Sequence, residues 1–301
     1  MLKRIPLTSS KGILILGDLH VDFNNLRECE DIANEIAFSN KADILIQVGD
    51  ICDKNKLASH ELDALTSMIK KWQTVFKEVH ILEGNHDKLD KNYSIIMYLK
   101  HLGVNIHDDD IVFDTPYGVL RCGHYFIDKS LSSFGHFRMT LEEFKKDCDY
   151  GLLGHQHDFQ LFEDNFCHIG SCRYVSFGER KIQSKLYAVL NSDGLQYSAV
   201  ASCIPMLDVS SLQELERVPK KAKVRYLFKS FEQLKNELET INTVKNNYYL
   251  FQKKLDFSSV NIQKSTNPVV KTSSIVEDFL KQIEDEEVRN ILNEEFKKEF
   301  K

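Results

Sequence analysis

Residues 12–20 read GILILGDLH, residues 43–53 DILIQVGDICD and residues 78–87 EVHILEGNHD. Each is a short apolar run that ends in a glycine followed by polar residues. An apolar run of this length without polar alternation is a strand buried on both faces. Between these runs, residues 24–39 carry Leu26, Ile32, Ile36 and Ala37 at positions compatible with a helix. Residues 60–77 place Leu62, Leu65, Met68, Ile69 and Trp72 three and four apart, which predicts a second helix. The βαβαβ rhythm implies a largely parallel sheet with helices on its faces.

Further along, residues 104–204 are richer in strands. The candidates are DIVFDT (110–115), GVLRCGH (118–124), YGLLGHQH (150–157), FCHIGS (166–171) and KLYAVLN (185–191), with a helix at TLEEFKKDCD (140–149). They predict a second sheet packed on the first, an α/β two-sheet sandwich over residues 1–204. After that the pattern restarts. IPMLDVS, KVRYLFKS and NYYLFQKKLD are strand-like, with helix-like residues 211–217 and 230–241 between them, so 205–260 reads as a small α+β module. Residues 261–273 are polar and irregular, a linker. Residues 274–301 carry Ile275, Phe279 and Ile283, then an acidic turn Glu284–Glu287, then Val288, Ile291, Leu292 and Phe296, the pattern of a helical hairpin.

Composition sets the class. The 301 residues are 42% hydrophobic and 28% charged, with 13 Gly and 5 Pro, which excludes collagen-like and Gly/Pro-rich disordered chains. The start, MLKRIPLTSSKG, has basic residues but no apolar stretch behind them, so no signal peptide is expected. No run reaches the ~20 apolar residues of a membrane span. Seven Cys without a C-x-x-C pair read as reduced thiols of a cytoplasmic protein, with Cys29, Cys122 and Cys148 as small apolar fillers. The net charge of −6 is uneven: residues 205–272 hold 12 Lys+Arg against 7 Asp+Glu, a net of +5, and residues 273–301 hold 5 against 9, a net of −4. The acidic body argues against binding nucleic acid by bulk charge alone.

The chemistry sits where the strands stop. The endings GDLH, GDICD, GNHD, CGH and GHQH put Asp18, His20, Asp50, Asn85, His86, His124, His155 and His157 at strand ends, the place where ligands gather in an open α/β sheet. Imidazoles mixed with carboxylates suit Mn²⁺, Fe²⁺ or Zn²⁺ better than Ca²⁺, which prefers oxygen alone. Asp18 and His20, like His155 and His157, lie two residues apart and point to one side of an extended chain. Each element alone is weak; five in order after apolar strands form a strong signal.

The order D-x-H, GD, GNHD, H, GHxH resembles the calcineurin-like metallophosphoesterase superfamily over about residues 12–190. The resemblance implies a two-metal site bridged by Asp50, with Asp18, His20 and His157 on one metal and Asn85, His124 and His155 on the other. It implies that His86 contacts the scissile phosphate and protonates the leaving oxygen, and it suggests Asp87 as the residue that orients His86 or caps the next turn. Two divalent ions about 3.5–4 Å apart lower the pKa of a bridging water and clamp the phosphoryl oxygens. Mn²⁺ is the first expectation, with Fe²⁺ and Zn²⁺ also compatible.

The Ser/Thr protein phosphatases of that superfamily carry Arg-Gly after GDxxD and Glu after GNH. Here Lys54 and Asn55 follow Asp53 and Asp87 follows His86, which disfavours that branch. Downstream, FCHIGSCRYVSFGE (166–179) resembles the SbcD-type nucleases, the exonuclease subunits of double-strand-break repair complexes. That resemblance implies a DNA substrate, a small capping domain corresponding to 205–260, and a C-terminal hairpin, here 274–301, that docks onto an SbcC-type SMC-like ATPase; homodimers also occur in such nucleases. Candidate DNA contacts are Arg173 and Arg180 near the GHQH strand and Lys220, Lys221, Lys223 and Arg225 in the cap, against readings of Arg173 as the partner of an acid and of the cap lysines as guards of a solvated strand edge. Asp53 stands where eukaryotic and archaeal nucleases of this kind carry a further His, and only 38 residues separate His86 from His124, so the insertions of longer relatives are trimmed. His136 competes with His124, which is preferred because it ends an apolar strand and precedes GHQH by a strand–helix unit. The alternative function is a small-substrate phosphodiesterase or phosphatase acting on nucleotides or cyclic nucleotides.

Overall fold

The computed structural model describes residues 3–39, 41–90, 93–132, 135–179 and 184–256, together with Asn290. The expected linker, the hairpin apart from Asn290, and Arg180 lie outside the described residues. Contacts divide the chain into two units, 1–205 and 206–301.

In the first unit, β2 (Ile13–Leu16), β3 (Ile44–Gln47), β4 (Glu78–Leu82) and β5 (Asn105–His107) run parallel. β11 (Leu186–Asn191) lies antiparallel on the other side of β2 and is followed by β12 (Gly194–Ala199), giving the order β12-β11-β2-β3-β4-β5. A second sheet has the order β1-β6-β7-β8-β10-β9, built from β1 (Arg4–Pro6), β6 (Asp110–Thr115), β7 (Gly118–Gly123), β8 (Tyr150–Leu153), β9 (Gln160–Glu163) and β10 (Phe166–His168). The α/β two-sheet sandwich expected from the sequence is therefore present.

The unbroken apolar strands follow from burial on both faces. Ile13, Ile15, Ile44 and Ile46 point into the space between the sheets, against Ile111, Phe113, Leu120 and Leu152. Their neighbours Leu14, Leu16 and Leu45 point the other way, with Val79 and Ile81 of β4. They meet the apolar stripes of α1 (Leu26–Phe38) and α2 (Ser59–Gln73), among them Ile32, Ile36, Leu65, Ile69 and Trp72. Each such side chain contributes about 1.5–3 kcal/mol when fully buried. The outer face of the second sheet is covered by α3 (Leu141–Lys145), whose Phe144 packs with Tyr125, Leu153 and Phe166. Thr140 caps α3, and its carboxylate partner Glu143 completes the capping box. The short strands β1, β5, β9 and β12 are the edges of the two sheets.

The second unit is a parallel sheet, β13 (Met206–Val209), β14 (Lys223–Phe228) and β15 (Leu250–Leu255), joined through α4 (Leu212–Glu216) and α5 (Phe231–Val244). Its core holds Val224, Tyr226 and Phe228 of β14 with Leu234 and Ile241 of α5.

Candidate metal centre

The loops that leave β2, β3, β4, β7 and β8 converge at one end of the sandwich. The first two are stitched together by their backbones: Leu19 N–H and His20 N–H both donate to the Asp50 carbonyl, at 3.1 and 3.0 Å. His20, Asp50 and His155 adopt φ of +52°, +51° and +74°. Non-glycine residues in this left-handed region are strained by about 1–3 kcal/mol each, and such strain gathers at functional sites. The approach is close enough to exclude any Cβ at Gly84, which would overlap Asp50, or at Gly49, which would overlap the His124 ring and has φ +93°. These glycines are required by that contact.

The structure brings together all seven residues that the resemblance implied as metal ligands. Asp18, His20 and His157 offer one donor atom each within 4.8 Å of one another, and Asp50, His124 and His155 do the same. Asp50 Oδ2 lies 3.1 Å from His124 Nε2 and 3.8 Å from His20 Nε2, so one carboxylate faces both sets. Asn85 Oδ1 is 3.2 Å from His124 Nε2. His124 Nδ1 donates to the Val48 carbonyl at 2.8 Å, which leaves Nε2 as a lone pair toward Asp50 and Asn85. The rival His136 is exposed on a loop, whereas His124 is buried. Of the other histidines, His80, His107 and His168 are buried away from the cluster, and His60 and His101 are exposed.

The donors fit a cation. His20 Nε2 and His157 Nε2 face each other at 3.1 Å. On the far side of each ring, Nδ1 lies beside a carboxylate: Asp53 Oδ1 at 3.3 Å from His20 and Glu179 Oε1 at 3.4 Å from His157. A carboxylate beside Nδ1 favours the proton on that nitrogen and leaves the Nε2 lone pair facing inward, as at a metal-bound imidazole, although His20 Nδ1 is buried without a hydrogen-bond partner. Four inward acceptors, the two Nε2 atoms with Asp18 and Asp50, are matched by one backbone donor each at the carboxylates, His155 N–H to Asp18 and His86 N–H to Asp50. The electrostatics agree. Burial pushes Asp18 up; burial also opposes ionisation of Asp50, but His124 and His20 outweigh it and hold Asp50 below the carboxylate range. Burial opposes the charge on His124, yet Asp50 and Asp18 raise it to about 9. Two buried carboxylates demand positive charge here, and a divalent ion displaces the protons that otherwise supply it.

His86 is exposed at the mouth, with its ring centroid 4.8 Å from that of His20. Its Nδ1 donates to the Asp53 carbonyl at 2.6 Å, which turns Nε2 away from that loop and fixes the ring.

Several expected roles are corrected by the geometry. Asp87 does not touch His86 through its carboxylate. Its Oδ1 accepts from Cys52 N–H at 3.0 Å and its Oδ2 from Gly84 N–H at 2.9 Å, so it ties the β3 loop to the β4 loop; burial and the Asp50 charge raise it to about 6. Arg173 is not available to DNA. It is buried, and its fork donates to the carbonyls of Leu19 (2.6 Å), His20 (2.7 Å) and Tyr174 (3.2 Å), because those carbonyls turn inward and need donors. Lys223 is also buried, with its ammonium 6.0 Å from the Tyr249 ring centre. Arg225 forms a two-pronged pair with Asp208, at 2.7 and 2.9 Å. Lys220 and Lys221 are exposed.

Sequence reasoning missed Asp53, Glu179 and Lys185 as supports. Lys185 is buried, pairs with Glu179, and donates to the His157 carbonyl at 2.8 Å and Ser171 Oγ at 3.0 Å. Burial pushes Glu179 up, but His157 and Lys185 outweigh it and hold it at about 2. Glu179 ends the quoted run SFGE, so an acid directly after a glycine was the available signal.

Residues 12–159 match the model of the calcineurin-like phosphoesterase family. Over this stretch, just under half of the chain, the protein is similar to the calcineurin-like phosphoesterases, and the stretch contains all seven donor residues. Among curated proteins no relative matches. Among solved structures, the chain is similar to the nuclease MPE of Pseudomonas putida, at 13% identity over 62% of this chain and 91% of that one, with a TM-score of 0.35. It is also similar to a cold-active protein-tyrosine phosphatase of a psychrophilic Shewanella, at 12% identity over 67% and 81%, with a TM-score of 0.38. No helix among the described residues is long and apolar enough to cross a membrane.

Proposed function

We propose that this chain is a two-metal phosphodiesterase acting on DNA, the nuclease subunit of an SbcCD-type complex. The observation that carries the hydrolytic part is the pair of donor sets meeting at Asp50, with His86 exposed beside them. Asp18, His20, Asp50 and His157 would hold one ion and Asp50, Asn85, His124 and His155 the other. When bound, the ions supply a nucleophile at neutral pH and neutralise phosphoryl charge. The chain's own part is positional. The Val48 carbonyl fixes the His124 tautomer, the Asp53 and Glu179 carboxylates lie beside Nδ1 of His20 and His157, and the Asp50 backbone holds the β2 loop against the β3 loop. The Asp53 carbonyl clamps Nδ1 of His86, so its Nε2 is the atom placed to hand a proton to a departing alkoxide.

The DNA substrate is supported by three features. Asn85 and His86 open directly to solvent, so a phosphodiester within a polymer can reach them. Lys220 and Lys221 are exposed on a second unit whose segment 205–272 carries net positive charge. The run GSCRYVSFGE resembles the nuclease branch in the order of its residues. The proposed partner is an SMC-like ATPase that takes residues 274–301, and Mn²⁺ is the proposed ion.

The test is a paired assay with Mn²⁺: labelled linear DNA, single- and double-stranded, in one arm, and bis-p-nitrophenyl phosphate with cyclic nucleotides in the other. The Asp50→Asn variant serves as the control. DNA degradation that disappears in the variant supports the proposal. Hydrolysis of the small esters with DNA left intact, alone and with the ATPase added, overturns the nuclease assignment.

A further inference from the structure

Residues 171–179 make a second kind of contact with the metal loops, and it is one-sided. Cys172 N–H donates to the Asp18 carbonyl at 2.9 Å, and Arg173 takes the next two carbonyls, Leu19 and His20, with Nε and one terminal nitrogen. Asn25 Nδ2 adds a bond to the His20 carbonyl at 2.9 Å. At the far end of the run Glu179 lies beside the His157 ring, and at its start Ser171 N–H donates to the His157 carbonyl at 3.0 Å. The run therefore grips Asp18, His20 and His157. The partners that orient the other set are different: the Val48 carbonyl for the His124 ring, the Asp109 carbonyl for His124 N–H, and Asp87 for the loop that carries Asn85. The two sets share Asp50, whose carbonyl accepts from Leu19 and His20 N–H, and the bond from His155 N–H to Asp18.

The charge on Arg173 is placed for this task. Its NH1 lies 3.8 Å from the fully buried Glu28, which itself accepts from Ile204 N–H at 2.9 Å. A planar fork with donors at fixed angles on separate nitrogens can hold two successive carbonyls of a chain in a left-handed bend; a lysine ammonium carries its three donors on one atom at the end of a flexible stem. His20 sits in that bend at φ +52°, a conformation that persists only where its surroundings over-determine it.

We propose that Arg173 is a positioning residue that fixes the Asp18–His20 loop, so that the ion held by Asp18, His20 and His157 depends on it and the ion held by Asn85, His124 and His155 does not. The proposal rests on the two-ion reading above. It separates the two ions by their supports: one is anchored through the run that follows β10, the other through the loops of the first sheet and Asp109.

The test is metal binding by the full chain, without reference to turnover. Wild-type protein, Arg173→Gln and Arg173→Lys are stripped, titrated with Mn²⁺ by calorimetry, and followed by electron paramagnetic resonance. Wild type is expected to take two ions with the spectrum of a coupled pair. Arg173→Gln is expected to keep one ion near wild-type affinity and to bind the other about 10–100-fold more weakly, the usual effect of losing an outer support. Its spectrum at one equivalent is then that of an isolated ion. Arg173→Lys, with its donors on one atom, is expected to fall between. Glu179→Gln, which removes the carboxylate behind His157 and leaves Arg173 in place, is expected to weaken the same ion and serves if Arg173→Gln does not fold by circular dichroism. Two ions of wild-type affinity in the folded variants overturn the proposal, as does equal loss of both ions. Wild type that binds two ions but hydrolyses neither DNA nor bis-p-nitrophenyl phosphate overturns the proposed function and leaves this assignment standing.

Discussion

His20 Nε2 and His157 Nε2 point at each other across 3.1 Å, and each ring turns its other nitrogen toward a carboxylate, Asp53 or Glu179. With the proton on each Nδ1 side favoured by its carboxylate, two lone pairs meet in a part-buried space beside Asp18 and Asp50. Nothing stabilises that arrangement as well as a cation between them, and the behaviour of the protein with and without metal follows from it.

Chelation is expected to lower the melting temperature, and Mn²⁺ to restore it. At a free ion concentration about 100-fold above Kd, each bound ion contributes about 2.7 kcal/mol. For a unit of this size that is roughly 5–10 °C per ion. Differential scanning calorimetry with and without Mn²⁺ reads the shift, and identical melting curves would contradict the centre as described.

His86→Ala is expected to retain both ions by elemental analysis and to lose turnover by about 10²–10⁴-fold, the range for a missing proton donor. The ring is exposed and its Nδ1 bonds a carbonyl, so its removal leaves no buried side chain orphaned. Loss of an ion would make His86 a ligand instead.

Gly84→Ala is expected to displace Asp50, because the new Cβ overlaps both its backbone nitrogen and its carboxylate oxygen. Asp50 faces both donor sets, so this single methyl should reduce Mn²⁺ binding at both positions and lower hydrolysis by about 10–100-fold, as loss of a metal-orienting group does. Calorimetric titration showing two unchanged ions would refute the shared role of Asp50.

Far from the centre, at the start of β3, Asp43 accepts from Ser9 Oγ, from Ser10 N–H and Oγ, and from Lys77. Burial pushes its carboxyl up, but Lys77 and the two serines outweigh that and hold it below the usual carboxylate range. Its contribution is therefore complete above the unfolded value of about 3.9 and is lost as pH falls below it. Asp43→Asn is expected to cost about 1–3 kcal/mol at pH 7. It should also unfold with a shallower pH dependence below about pH 4 than wild type, by urea titration at several pH values. Parallel curves for the two proteins would show that Asp43 is not ionised in a bonded state.

The central strands were legible because β2, β3 and β4 are apolar on both faces and stop at glycine, a pattern that few folds besides a covered parallel sheet produce. The convergence of Asp18, Asp50 and His124 was legible for the same reason: a polar residue at the end of a buried strand has one place to go. The edge strands were not. β5, β9 and β12 carry polar residues and have a neighbour on one side only, so their periodicity is weak. Arg173 was misread because charge type suggests a surface, whereas its five donors match inward-turned carbonyls. Asp53 and Glu179 were missed because a carboxylate behind a ring is a tertiary relation: Glu179 lies 22 residues after His157, with β9 and β10 between them.

β2, which delivers Asp18 and His20, has Tyr187 of β11 opposite Leu16. All seven donors are in the chain once His157 has been added, but the strand that closes the sheet beside the first of them is still to be translated. A nascent chain that ends before Leu186 holds every donor and exposes one open edge of β2, the kind of edge that invites pairing with a wrong strand. Completion of the sheet beside Asp18 and His20 therefore waits on a strand that follows the last donor by about thirty residues.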